Sequence, residues 1–107
     1  MSVTSKILGK VKPSAATNTT LYTAPASTQA QANVMICNQT TSSDTVRLAV
    51  IASGGTIATT DYILYDMAIT ADTPISIDGI CLNAGDFIQV YTTNARCSFV
   101  VTGLEIT

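Results

Sequence analysis

At 107 residues the chain is one domain's worth, and only 11% of it is charged, against about 25% in soluble domains generally. Five Lys and Arg against seven Asp and Glu give a net charge of −2, which leaves no basic footprint for nucleic acid or an anionic membrane. Histidine is absent, and with it the commonest general base and metal ligand, so composition argues against an enzyme. A 47% hydrophobic content excludes a disordered chain, and no apolar run nears the ~20 residues of a membrane-spanning helix.

Thr (18), Ala (13) and Ser (9) dominate, with one Glu and three Lys, a balance that suits strands better than helices. Val3 to Val11 alternate mildly before Pro13, and residues 1–18 read either as an N-terminal arm or as an edge strand. Residues 19–24 make a short strand stopped by Pro25, followed by a polar loop, Ala26-Ser27-Thr28-Gln29-Ala30-Gln31. Further strands are expected over residues 32–38, 44–53, 62–70, 73–82, 87–93 and 97–106. Ser53-Gly54-Gly55-Thr56 offers two glycines for a tight hairpin, and Asn83-Ala84-Gly85-Asp86 and Asn94-Ala95 make two more reversals. No segment shows a convincing helical period. Strands every 8–12 residues with turns between them predict an all-β chain: one antiparallel β-sandwich of about eight strands over residues 19–107.

Val46, Leu48 and Val50 share one face of their strand, as do Cys97, Phe99 and Val101. Val34-Met35-Ile36-Cys37 and Leu48-Ala49-Val50-Ile51-Ala52 are instead apolar on both faces. The outer face of an antiparallel sandwich normally meets water. Either another copy of the chain covers these strands, or they are the scattered exposed aliphatics of any surface. The low charge leaves little repulsion against self-association.

Few residues suggest chemistry. Cys37, Cys81 and Cys97 are odd in number and lack metal-ligand spacing, so each is expected as a small buried hydrophobe with a free thiol, although one pairing stays open. Met1 to Lys10 lacks the apolar core of a secretory signal, which makes the sequons at Asn18 and Asn38 chance matches. Asp44, Asp78 and Asp86 sit at turn positions; Asp61, Asp66 and Asp72 could approach one another, yet their spacing fits neither a calcium loop nor a glycosidase pair. No catalytic, cofactor-binding or metal-binding residue is assigned. Two arginines, Arg47 and Arg96, are too few to make the tyrosines a nucleic-acid platform. The candidate partner-contact residues are Lys6, Lys10 and Lys12 near the N-terminus, with Tyr62 and Tyr65.

The run Leu21-Tyr22-Thr23-Ala24-Pro25-Ala26-Ser27, then Val34-Met35-Ile36-Cys37-Asn38-Gln39 and Val46-Arg47-Leu48-Ala49-Val50, resembles a family of small structural proteins of tailed bacteriophages, including cyanophages. The resemblance continues through Asp61-Tyr62-Ile63-Leu64-Tyr65-Asp66, the segment from Leu82 to Tyr91 and the ending from Ser98 to Ile106. The Leu-x-Ala-Gly-Asp-x-Ile-x-Val pattern within it is also common in jelly-roll domains. What this resemblance implies is a jelly-roll-like virion protein without enzymatic activity, assembled in the host cytoplasm. Its expected role is head decoration, as a homo-oligomer, a trimer, bound to the major capsid protein or other virion proteins. The alternatives are a tail, neck or baseplate/fibre component, or a receptor- or carbohydrate-binding module.

Overall fold

Thr, Val and Ile at alternate positions suit a pleated, half-buried strand, and the chain forms eight of them. The computed structural model describes residues 2–107. In order the strands are β1 (Val3–Val11), β2 (Thr19–Thr23), β3 (Gln29–Asn38), β4 (Asp44–Ile51), β5 (Tyr62–Ile69), β6 (Pro74–Leu82), β7 (Phe87–Thr92) and β8 (Cys97–Ile106). They form two four-stranded sheets, β1-β8-β3-β6 and β2-β7-β4-β5, antiparallel throughout. First pairs with last, second with seventh, third with sixth and fourth with fifth. That is one long hairpin rolled into a sandwich, the jelly-roll arrangement.

The core lies between the sheets. Burial along β3 alternates without a break, turning Ala30, Ala32, Val34 and Ile36 inward. They join Val46, Leu48, Ile88, Val90, Phe99 and Val101, all fully buried. At Gly9, beside a bulge in β1, an added Cβ would stand 2.5 Å from the Leu21 carbonyl oxygen, so only glycine lets β1 lie this close to β2.

Two local expectations need correction. β3 begins at Gln29 rather than Ala32, because Gln29 and Gln31 face solvent around an inward Ala30; half of a strand had the composition of a loop. The reversals expected at 83–86 and 94–95 are present and carry the chain from one sheet to the other, as all connections do except β4–β5. That one connection is not the tight hairpin expected at residues 53–56. Residues 52–61 make a turn, with Gly54 at φ +74° and the Gly55 N–H on the Ala52 carbonyl, followed by a 3₁₀ turn at Thr59–Asp61. The connection folds back on β4: an added Cβ at Gly55 would lie 3.2 Å from Ile51 Cγ2, and Ile51 is buried. The second apolar face of β4 is therefore covered at Ile51 by the chain itself, where coverage by another copy had been one expectation.

Polar anchors hold the ends. Asn38, fully buried, donates from Nδ2 to the carbonyls of Ser42 (2.8 Å) and Ile69 (3.1 Å), and its Oδ1 accepts from the Thr40 N–H and hydroxyl. An amide used in this way cannot carry a glycan in the folded protein.

Candidate functional site

Two surfaces gather the side chains that could meet a partner. The first is the outer face of the β1-β8-β3-β6 sheet. The outward residues of β3 are Gln29, Gln31, Asn33, Met35 and Cys37, and their partners across β8 are Ile106, Leu104, Thr102, Val100 and Ser98. None of these is charged. Next to them on β1, Val3 and Ile7 are 53% and 56% exposed, and Met35 is 45% exposed. Charge is confined to the rims: Lys10 on β1 and Asp78, which accepts a hydrogen bond from Ser76, on β6.

This face also revises the cysteines. All three are free, and Cys97 is buried, where burial, then Asp44 and Cys37, push its thiol up to about 11. Cys37 and Cys81 are exposed instead, because strand alternation turns both outward although their sequence neighbours are apolar.

The three lysines do not form one patch. β1 is hydrogen-bonded along β8 at the sheet edge, and Lys6 turns to the opposite side from Lys10. The Lys6 ammonium lies 2.7 Å from Glu105 Oε1, while the Tyr22 hydroxyl donates to Glu105 Oε2 at 2.5 Å, tying β1 and β8 to β2 of the other sheet. The Lys6 hydrogen bond, then that of Tyr22, holds the Glu105 carboxyl below its ordinary range. Burial and then Glu105 push the Tyr22 phenol above its own. A carboxyl depressed on folding contributes stability that is complete above the unfolded pKa of about 4.3 and lost as pH falls through the folded value. Glu105→Gln is therefore expected to cost stability at neutral pH but progressively less below about pH 4.3, measured as the gap between urea midpoints of the two proteins. The raised Tyr22 phenol works at the other limit: stability is lost as pH rises above about 10, and Tyr22→Phe removes that loss. Lys12 is exposed just beyond β1.

The second surface lies on the outer face of the other sheet. β7, β4 and β5 run side by side, and register puts Tyr91 opposite Arg47. On the far side, the β4–β5 register slips between Val46 and Leu48, so Tyr65 and Asp66 bulge out opposite Arg47. The Arg47 guanidinium is held between two rings, 4.4 Å from the centre of Tyr65 and 4.3 Å from that of Tyr91. Asp66 grips it with two hydrogen bonds, Nε to Oδ1 at 2.6 Å and Nη2 to Oδ2 at 3.3 Å. Asp66 is left at φ +51°, a left-handed conformation that a non-glycine residue rarely adopts. Tyr62 meets Tyr65 edge to face, with ring centres 4.9 Å apart at 81°, and the two rings with Thr59 line a hollow of about 300 Å³.

The structure thus brings Tyr62 and Tyr65 together and places the lysines on the other sheet. Arg47 and Tyr91 are the members that the sequence did not single out. Both are outward positions of alternating strands, but only the β4–β7 register makes them neighbours. Three other aspartates serve the backbone: Asp61 accepts from Ala58 N–H, Asp86 from the N–H groups of Ser53 and Asn83, and Asp44 from those of Thr45, Asn94 and Arg96. Among the described residues no three His, Cys, Asp or Glu side chains converge as metal ligands.

Fold and surfaces define a small jelly-roll β-sandwich with one uncharged sheet face and one tyrosine–arginine cluster. No protein-family model matches the chain, and no curated protein matches it in sequence.

Proposed function

We propose that this chain is a structural protein of a tailed-phage particle, a head-decoration protein that binds the outer shell as a homo-oligomer, a trimer. The observation that carries the reading is the outer face of the β1-β8-β3-β6 sheet, whose two central strands present no charge and whose Val3, Ile7 and Met35 stand in water in the single chain. Burying such side chains gains roughly 1.5–3 kcal/mol each, with no charge to desolvate. Many such contacts repeated over a lattice would add through avidity, which is how a small protein can reinforce a shell. The segments quoted above as resembling phage structural proteins support the same reading. The jelly roll is a fold that capsid domains use, an analogy of architecture only.

Two exposed thiols on that face make the test direct. Light scattering is expected to give the mass of a trimer, and Cys37 and Cys81 should be alkylated quickly in dissociated chains but shielded in the particle, with Cys97 slow in both. A strict monomer that leaves capsids unbound, with both thiols equally open throughout, overturns the proposal. Copy number per particle separates a lattice-wide decoration from a tail or neck ring.

A further inference from the structure

We infer that the hollow between Tyr62 and Tyr65, flanked by the Arg47–Asp66 pair, is a binding site for a neutral sugar ring. It lies on the second sheet, so it goes beyond the assembly proposed above and does not rest on it.

Size comes first. About 300 Å³ is the low end of small-ligand pockets, roughly 300–1,000 Å³, and suits one ring. Charge narrows the ligand further. A cation would meet Arg47, which already stacks on Tyr65, and an anion would find that guanidinium neutralised by Asp66. What remains is a neutral molecule with an apolar face for the tyrosines and polar groups for the planar ion pair. A sugar ring has both: C–H groups on its faces and hydroxyls on its rim. At the hollow itself the hydroxyls of Thr59, Tyr62 and Tyr65 can each donate to or accept from a ring hydroxyl, and the Arg47–Asp66 pair lies next to them against the Tyr65 ring.

The cluster is also held ready. Arg47 is fixed between two rings and a carboxylate, so little side-chain freedom remains to be lost on binding. Asp66 is held at φ +51° by the bulge that sets it against Arg47. Blocking the edge of β5 against other strands needs only a bulge and a charge. It does not need Tyr65, 59% exposed, set at a right angle to Tyr62 over an open hollow. A proline-rich segment would need successive aromatic ridges, and this is a single corner.

The test is an NMR titration of the labelled chain with the methyl glycosides of glucose, galactose and mannose, and separately with a proline-rich peptide and with tetramethylammonium. At least one glycoside is expected to shift the signals of Thr59, Tyr62, Tyr65 and the Arg47 side chain. Tyr65→Ala should weaken that binding at least about tenfold, Tyr65→Phe, which keeps the ring, should weaken it less, and Met35→Ala, on the other sheet, should bind as the wild type does. Because Tyr65 is mostly exposed, the Tyr65→Ala spectrum should match the wild type away from Tyr62 and Arg47, which touch the ring. The site is overturned if no glycoside moves these signals, if Tyr65→Ala binds undiminished, or if only the peptide or the ammonium ion moves them.

Discussion

Asp44→Ala is expected to lower the unfolding free energy by about 3–5 kcal/mol, out of the about 5–15 kcal/mol typical of a whole domain. The carboxylate is buried at the start of β4. Its Oδ1 accepts from the N–H groups of Thr45 (2.8 Å) and Asn94 (3.0 Å), and its Oδ2 from that of Arg96 (2.9 Å). One side chain therefore holds the β7–β8 turn, where the chain passes between sheets, against the first residue of β4. Hydrogen bonds to a charged acceptor are worth roughly 1.5–3 kcal/mol each, and alanine would leave partly buried N–H donors without a partner. Asp44→Asn keeps one acceptor oxygen but turns an amide N–H₂ toward a backbone N–H, so a smaller loss of about 2 kcal/mol is expected. Urea unfolding measures both losses. Cys97, buried at the head of β8 beside this turn, gives a local readout: its alkylation in Asp44→Ala should outpace that of the wild type without denaturant. A loss below about 1 kcal/mol with unchanged Cys97 protection would mean that the turn holds itself.

The strands were legible because their side chains alternate. Val46-Arg47-Leu48 and Cys97-Ser98-Phe99 state in sequence which side is dry, and burial follows them. Legibility failed wherever a strand's outer face resembled something else. Gln29 and Gln31 look like loop residues, and Cys37 and Cys81 look like core, yet all four are outward positions of strands. The candidate site was half visible. Tyr62 and Tyr65 attract notice as aromatics, but three residues apart on a regular strand they would point to opposite faces. Only the slipped register of β5 brings them edge to face, and a bulge of this kind is set by tertiary pairing with β4, not by any local residue pattern. Arg47 and Asp66, nineteen positions apart, meet for the same reason.

Met35→Asp should dissociate the proposed assembly while leaving the single chain folded. Met35 lies outward on a central strand, with Val100 opposite on β8 and Ser76 opposite on β6, and its side chain takes no part in the core between the sheets. Within the isolated chain the change costs only strand preference, about 1 kcal/mol or less. In an assembly that covers this face, the same change buries a carboxylate where neither central strand offers an outward cation. An unpaired buried charge costs about 3–5 kcal/mol, which weakens association by at least about 100-fold per contact. Met35→Leu preserves volume and apolarity and is expected to assemble as the wild type does. The two substitutions separate burial from mere proximity, since a face that stays wet tolerates both. If light scattering shows the aspartate variant assembling with undiminished affinity, this sheet face is not what the protein uses to build.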